Sequence, residues 1–551
     1  MCHSVTDVLL EYGDLGNDVE PSLTPIDLAS ILLAAARKYP HTTQPQIPVV
    51  GRTKNYERTN RSFADYIVWE TVGGSEEVFR TGENHFSGRI PLERLAVHLS
   101  NFSQTSDEEE LLDLGTTLLE SANGTPSSYA TCQNLLALTA DPNVALQFQV
   151  ALIDRGQDAL AKVPDDFNGK LNHVEKTDVV MDSHAIEVLA ILLTQLDHYK
   201  LLPYCEILCA LVKSPKAPVA RQCFHHANMV EMAAALRKLR PNLKPTLPVV
   251  FNMSLGSHVG PHNGLSPLES YIGKMAPVSQ QRYFHVAAGN DGGKGVADRK
   301  TVEPGFPELM KIKTGSNGKD VLLVEFWWED TGSPVLIDVD VRCGGYLFIP
   351  KMRISSATQG GQLHRLRGLR IPNYPTIACS SLFHNKWRKR WNCVAFALSV
   401  PPNSGGMPVL DIEFNLSSTA RAVVEAWLTV NDDVDTVFVE GRNDRTVRVP
   451  ATSPDVIAVA GLDGGEPWSK SSRGVDRSTV HSPSLAQDVR PLSPGDSGTS
   501  YACPRACADT ADALRAPADR TACTDVYSVV QKVLGKNIRA QWHPRIGYGS
   551  R

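Results

Sequence analysis

The sequence predicts an α/β protein with a mostly parallel sheet, an inserted β-sandwich and an N-terminal α+β accessory domain. From about residue 148 onward, short apolar strands alternate with helices, which is the pattern of a parallel sheet covered by helices on both faces. From about residue 294 to 447, strand candidates follow one another without helices. The first pattern resumes at residues 456–460, so we expect the α/β sheet to be interrupted in sequence.

These changes of pattern divide the chain, whose 551 residues are enough for several domains, into four segments. Residues 1–140 form an N-terminal accessory, regulatory or pro-domain. Residues 141–293 and 448–551 are the first and second parts of the α/β domain. Residues 294–447 form the inserted sandwich.

The N-terminal segment mixes helical and strand patterns. Thr24 followed by Pro25 caps a predicted helix over residues 26–39, and Ser106 with Glu109 forms a capping box before a leucine-rich stretch. No residue here carries recognisable chemistry. Three interpretations of the segment therefore stay open: a folding propeptide, a domain that receives a signal, or a domain that docks a protein partner.

The α/β segments alternate predicted strands and helices in order. The strands cover residues 150–153, 206–212, 249–255, 284–288 and 456–460, and the helices cover residues 185–193, 229–239 and 268–275. Functional residues of such folds lie at the carboxyl ends of parallel strands. The polar residues that follow these strands are therefore the first candidates for a site.

The insertion contains successive strand candidates with alternating apolar residues. Val335, Ile337, Val339 and Val341, with aspartates between them, are typical of a strand that buries one face. The candidates cover residues 321–328, 335–341, 346–349, 394–400, 409–416, 423–430 and 437–439. This spacing favours an antiparallel sandwich of the jelly-roll type.

Composition limits the functional class. A formal net charge of −5 argues against a nucleic-acid binder. The longest apolar stretches are far shorter than the roughly 20 residues of a membrane span, and the start lacks the pattern of a secretion signal. Eleven cysteines without a dense framework suit reduced thiols. We expect a cytoplasmic protein with no membrane partner.

Two other patterns have a specialised and an ordinary interpretation. Residues 383–391 interleave cations and aromatic rings, as single-strand nucleic-acid sites do, but the acidic balance favours an exposed loop that contacts a partner. Two cysteine pairs spaced four apart lack zinc spacing, which favours buried thiols and no metal; they are Cys205 with Cys209, and Cys503 with Cys507.

Four polar residues follow strands or open helices. Asp154 ends a strand and can hold the Nδ1 proton of a histidine, although an Asx turn is the ordinary reading there. His184 opens a helix, where a surface histidine is ordinary. Asn290 can direct its amide at a developing oxyanion. Ser500 lies in the heptapeptide GTSYACP of residues 498–504, a glycine-led turn into a helix start that can present a nucleophile or simply cap a helix.

The order Asp154, His184, Asn290, Ser500, with these flanking patterns, resembles the subtilase family of subtilisin-like serine peptidases. The resemblance covers about residues 148–292 and 450–551. It includes the segments 450–460, 471–474 and 546–549. It implies a three-layer subtilisin-like fold in which the two α/β segments form one peptidase domain, with counterparts of the insertion in some bacterial members.

The resemblance also implies a mechanism. Ser500 would attack the scissile carbonyl, His184 would accept and return the proton, and Asp154 would orient the imidazole. Asn290 and the backbone N–H of Ser500 would form the oxyanion hole. Neither metal nor organic cofactor is needed. The residues along the cleft for a protein or peptide substrate would be Ser254, Leu255, Gly256, Ala288 and Gly289.

Two departures from the family pattern bear on activity. Arg155 replaces a small hydroxyl residue after the aspartate, and residues 185–187 replace the usual run after the histidine. Either can reshape the cleft or hold it at rest, which agrees with a latent protease that a regulatory partner activates through the N-terminal domain or the insertion, as in a bacterial defence or stress module. The alternative is a pseudoprotease that serves as a binding scaffold.

Overall fold

The computed structural model describes residues 46–51, 86–91, 126–158, 172–173, 179–213, 232, 235–258, 260–264, 266–314, 321–329, 335–343, 346–354, 376–382, 391–399, 411–429, 436–474, 482–492 and 495–550. The predicted helix at 26–39, the capping box at Ser106 and the cationic segment 383–390 lie outside them. Among the described residues, no helix has the length and apolar character that a membrane crossing requires.

The chain divides into two compact units. One contains residues 1–105, 215–230 and 294–442, and the other contains residues 106–214, 231–293 and 443–551. In the first unit, strand β1 (Gln46–Gly51) pairs antiparallel with β2 (Phe86–Pro91).

The second unit begins with alternating helices and strands. They are α1 (Pro126–Leu136), β3 (Phe148–Asp158), β4 (Asn172–His173), β5 (Val179–Met181), α2 (Ser183–His198), β6 (Cys205–Lys213), β7 (Val249–Met253), α3 (Pro267–Met275) and β8 (Arg282–Ala287). Short 3₁₀ turns lie at Leu202–Tyr204, Arg240–Asn242 and Val278–Gln280. The predicted helix at 229–239 is described at residues 232 and 235–239, which are helical.

The insertion follows with ten strands among its described residues. They are β9 (Ala297–Val302), β10 (Glu308–Lys313), β11 (Val321–Glu329), β12 (Ile337–Cys343), β13 (Tyr346–Ile354), β14 (Thr376–Leu382), β15 (Trp391–Ser399), β16 (Asp411–Ser418), β17 (Ala422–Thr429) and β18 (Val437–Phe438).

The chain then returns to the second unit. Its last elements are β19 (Ile457–Asp463), β20 (Glu466–Pro467), β21 (Leu485–Asp488), α4 (Thr499–Ala513), α5 (Pro517–Ala522), α6 (Val526–Leu534) and a 3₁₀ turn at Gly535–Asn537.

The second unit is built on a nine-stranded sheet in the order β20-β19-β8-β7-β3-β6-β4, with β21 beside β19 and β5 beside β3. All pairs are parallel except β19 with β20 and β3 with β5. Ile153 of β3 pairs with Met253 of β7, which pairs with Val286 of β8. This register brings the carboxyl ends of β7 and β8 beside Ile153 of β3, which continues to Asp158.

The sheet core explains why these segments fold as they do. Residues 150–153 of β3 are a buried apolar run because both faces of the sheet are covered there, and α2 buries a stripe spaced three and four residues apart. That stripe consists of Ala185, Val188, Leu189, Leu192 and Leu196. The buried thiols of Cys503 and Cys507 on α4 lie in the same core, as predicted.

The insertion consists of two five-stranded antiparallel sheets with the orders β13-β12-β16-β10-β18 and β14-β15-β11-β17-β9. Both sheets contribute to one apolar core. In it the rings of Phe326, Phe396 and Phe414 lie 4.9 to 5.7 Å apart between centroids. The predicted antiparallel strands are therefore present.

Three strands of the insertion were not predicted from the sequence, namely β9, β10 and β14. Strand β9 reads ADRKTV and buries Ala297, Asp298 and Val302 among exposed or half-exposed charges. Short polar strands of this kind are held by pairing with their neighbours rather than by an apolar pattern of their own.

Candidate active site

Asp154 lies in β3 and is fully buried. Its Oδ1 accepts hydrogen bonds from the backbone N–H of Arg155 at 2.7 Å and from Nδ1 of His184 at 2.9 Å. Because a carboxylate oxygen only accepts hydrogen bonds, the histidine must supply the proton of the second bond. Nδ1 is then the protonated nitrogen, and Nε2 keeps its lone pair as a base.

His184 is held by the first turn of α2. Asp182 caps this helix, with its Oδ1 accepting the backbone N–H of Ala185 at 2.8 Å. The His184 side chain is mostly buried, and its ring centroid lies 5.9 Å from that of Tyr501. The helix start therefore delivers the imidazole to the residues that surround Ser500.

Arg155 ties the helix start to the strand. Its Nε lies 3.3 Å from Oδ2 of Asp182, and its side chain is about half exposed. Burial raises the pKa of Asp182, and the Arg155 guanidinium opposes that rise without cancelling it. Arg155 thus joins β3 to the N-terminus of α2 beside the Asp154–His184 pair.

Residues 185–187 face the protein interior. Ala185, Ile186 and Glu187 are all buried. The Glu187 carboxylate accepts a hydrogen bond from the Ser128 hydroxyl of α1 and one from the backbone N–H of Leu492 at 2.6 Å. These residues anchor α2 to its neighbours.

Ser500 lies in the first turn of α4, which begins after Gly498. Four residues later, Pro504 has no N–H to donate to the Ser500 carbonyl. The hydroxyl of Ser254 donates to that carbonyl instead, at 2.8 Å. In return, the Ser500 hydroxyl donates to the carbonyl oxygen of Ser254 at 3.3 Å. The Ser500 hydroxyl is thus directed at Ser254 and not at Nε2 of His184.

Asn290 has an amide whose orientation follows from its partners. Its Oδ1 accepts from the backbone N–H of Thr499 at 3.0 Å and from the Thr499 hydroxyl at 2.9 Å. Since both partners are donors here, the oxygen must face Thr499, and the Nδ2 donor faces the opposite way. The Thr499 hydroxyl in turn accepts from the backbone N–H of Gly289 at 3.1 Å. Thr499, whose role the sequence did not reveal, therefore fixes Asn290 beside Ser500.

The predicted cleft residues follow β7 and β8 directly. Among the described residues, the N–H groups of Ala288 and Gly289 are both used: Ala288 donates to the carbonyl of Val459 and Gly289 to the hydroxyl of Thr499. Leu255 and Gly256 have no such partner there. The segment 255–256 is therefore the edge that can pair with an extended peptide, whereas Ala288 and Gly289 form a packed wall.

Three potential metal ligands cluster at the site. Ligand atoms of Asp154, Asp182 and His184 lie within 4.8 Å of one another. Asp154 and His184 are hydrogen-bonded to each other, and Arg155 supplies a cation to Asp182. The cation opposes a second positive charge at this point. The cluster fits the orientation of an imidazole better than it fits a metal site.

Comparisons with known proteins identify the fold. No protein-family model matches the chain, and no curated protein matches it in sequence. Among solved structures it is similar to the CspB protease of Clostridium perfringens, with a TM-score of 0.51 and 17% identity over 78% of this chain and 95% of that one. The MycP3 protease of the type VII (ESX-3) secretion system matches with a TM-score of 0.32 and 13% identity, covering 76% and 85% of the two chains. The similarity to the CspB protease shows that the fold of this chain resembles the subtilisin-like fold of subtilase proteases.

Proposed function

We propose that this protein is a serine endopeptidase of the subtilase type that hydrolyses peptide bonds in protein substrates. The observation that carries the proposal is the Asp154–His184 pair, oriented with a basic Nε2, at the same sheet edge as Ser500 and the Asn290 amide. In this mechanism Ser500 attacks the carbonyl carbon, and His184 takes its proton and then delivers it to the leaving amine. Asp154 stabilises the imidazolium that forms.

The oxyanion would be held by two donors. Asn290 Nδ2 faces away from Thr499, and the backbone N–H of Ser500, at the first turn of α4, has no carbonyl partner within the helix. Such donors stabilise the tetrahedral intermediate more than the planar substrate. Neither step requires a metal or organic cofactor.

The Ser500 hydroxyl must turn from Ser254 toward His184 before it can react. A serine side chain moves between staggered rotamers, and catalytic hydrogen bonds often form only with substrate. We therefore propose a resting protease in the cytoplasm, activated by a regulatory partner through residues 1–140 or the insertion, which we interpret as a jelly roll. A bacterial defence or stress role would suit this regulation.

A second candidate function rests on the same hydrogen bond. If the Ser500 hydroxyl stays on Ser254, the chain is a subtilase-like pseudoprotease that acts as a binding scaffold.

A small fluorophosphonate probe separates the two functions. We expect covalent modification of the wild-type protein at Ser500, slower modification of His184→Ala, and none of Ser500→Ala, measured by intact mass and peptide mapping. Ser418→Ala, which changes a serine hydroxyl in the insertion, is the matched control and should label like the wild type. A wild-type protein that stays unmodified with its cytoplasmic partners present would contradict the peptidase and support the scaffold.

A further inference from the structure

Arg448 occupies the space between the two walls of the cleft. A Cβ built on Gly256 would lie 3.0 Å from Cβ of Arg448, and one built on Gly289 would lie 2.8 Å from its Cγ. The aliphatic stem of Arg448 therefore touches both glycines, one from each wall. Neither glycine can carry even a methyl group on that side without displacing the arginine.

The backbone of residues 448–449 closes the same space. The N–H of Arg448 donates to the carbonyl of Ala288 at 2.9 Å. Val449 and Ser257 exchange two backbone hydrogen bonds of 2.8 Å. Residues 448–449 are thus bonded to Ala288 of one wall and to Ser257, which directly follows the other.

The Arg448 guanidinium is held by a buried acid. Its Nε and Nη2 both donate to the Asp291 carboxylate, which also bonds Nε2 of His258 at 2.9 Å. Asp291 and His258 are almost completely buried. Burial raises the pKa of Asp291, but Arg448 and His258 outweigh it and hold that pKa well below its usual range. The arginine is therefore fixed in place, and its charge is balanced.

These contacts determine which peptides fit. In the proposed peptidase, a carbonyl carbon at Ser500 with its oxygen toward Asn290 must direct its own side chain between the walls 254–256 and 288–289. We infer that Arg448 fills this pocket, so that the residue before the cleaved bond must be glycine, alanine or serine. Since Asp291 balances the guanidinium, an acidic side chain gains no ion pair there. This inference rests on the proposed function and adds its substrate class.

The variant that tests this inference removes both members of the Arg448–Asp291 ion pair. Arg448→Ala alone would leave the Asp291 carboxylate buried without its cation, so the test uses Arg448→Ala with Asp291→Asn, which can still accept from His258. The control is Arg421→Ala with Glu303→Gln, which removes an exposed arginine–glutamate pair of the insertion.

Two peptidyl diphenyl phosphonates, identical except for alanine or phenylalanine at the reacting residue, report the pocket by labelling Ser500. For the wild type and the control pair we expect labelling by the alanine probe at least about 10²-fold faster than by the phenylalanine probe. The Arg448/Asp291 variant should lose most of this preference. Cleavage sites in a peptide library should change in the same direction.

The outcomes separate the two claims. A wild-type protein that reacts with the small fluorophosphonate but labels equally with both phosphonates overturns the inference and keeps the peptidase. The same holds if the Arg448/Asp291 variant labels slowly with both probes in an unchanged ratio, because the pair would then only position Asn290. No reaction with any probe, even with the cytoplasmic partners present, removes the peptidase and this inference together.

Discussion

Beside Ser500, one neighbour determines which nitrogen of His184 carries the proton, and another determines which way the Asn290 amide faces. Asp154 requires the proton of His184 to be on Nδ1, and Thr499 requires the oxygen of Asn290 to face it. These orientations leave a base and a hydrogen-bond donor available on the sides that matter for acyl transfer. In the proposed mechanism the neighbour is therefore as important as the group that it orients.

Removing the amide of Asn290 should affect turnover and not binding. We expect Asn290→Ala to lower kcat by about 10²-fold or more with KM nearly unchanged, because the amide acts on charge that develops after substrate binds. Thr499→Val, which keeps the volume and loses the hydroxyl, should lower kcat by about tenfold, whereas Thr499→Ser should keep most of it. Steady-state kinetics on a peptide substrate measure both. A change confined to KM would exclude the oxyanion role.

Much of this residue-scale detail was within reach of the sequence. The family resemblance depends on Asp154, His184, Asn290 and Ser500, and the structure brings all four to one sheet edge. The functions of Thr499 and Arg448 could not be predicted from the sequence. A hydroxyl or a guanidinium acquires its partner only when segments separated by up to about 200 residues meet. For the same reason the sequence could not show that the N–H groups of Ala288 and Gly289 bond Val459 and Thr499.

At the scale of elements, α4 depends on a side chain from the end of β7. Pro504 withholds the N–H that would bond the Ser500 carbonyl, and Ser254 replaces it. This substitution leaves the first turn of α4 attached to the cleft wall. The Ser254 side chain therefore links the first turn of α4 to the segment that follows β7.

A double-mutant cycle tests this coupling. Ser254→Ala should lower the free energy of unfolding by about 1 to 2 kcal/mol, because the Ser500 carbonyl loses its donor. In a Pro504→Ala background the new N–H can bond that carbonyl, so Ser254→Ala should cost clearly less. Denaturant unfolding of the four proteins gives the coupling energy. Equal costs in both backgrounds would mean that Ser254 does not replace the missing helix bond.

His285 connects β8 to α4 and makes the attachment sensitive to acid. Its Nε2 bonds the Thr510 hydroxyl at 2.7 Å and its Nδ1 lies 3.1 Å from the Phe251 carbonyl. Burial lowers the pKa of His285 to about 4. The folded state therefore binds its proton less tightly than the unfolded chain, whose histidines titrate near pH 6.5.

The free energy of unfolding should accordingly decrease as the pH is lowered through a defined window. The contribution of His285 is complete above about pH 6.5 and is lost as the pH falls toward about 4, a total of about 3 kcal/mol. His285→Gln stays neutral throughout, so its unfolding free energy should fall less over this window than that of the wild type. Urea unfolding at pH 4.5, 5.5 and 7 measures the two slopes. Parallel slopes would assign the acid sensitivity to other groups.

At the scale of the whole molecule, the α/β unit and the insertion have separate apolar cores. The alternation of strands and helices, and then of strands alone, predicted both. The exact strand ends and the strands β9, β10 and β14 were not predicted, since pairing with neighbours decides them. Separate cores make unfolding in more than one step the natural expectation.

A core substitution in the insertion should leave the site intact. Phe326→Ala removes a ring that packs on Phe396 and Phe414, which should destabilise the sandwich by about 3 to 5 kcal/mol. We expect a lower transition temperature for one calorimetric step, with unchanged fluorophosphonate labelling of Ser500 at low temperature. Phe306→Ala, at an exposed position, is the control. Loss of labelling together with the lowered transition would show that the two cores fold as one.

The interruption of the sheet also has a consequence for the order of folding. Strands β8 and β19 are parallel neighbours, yet residues 288–456 separate them. Within the insertion, Ala297 and Arg442 form a β-bridge, so the finished sandwich holds its own two ends together. Forming it first shortens the effective loop between β8 and β19 roughly sevenfold, which reduces the entropy cost of closing the loop by about 2 kcal/mol. The inserted domain would then assist the folding of the chain that contains it, by bringing two distant parts of one sheet within reach of each other.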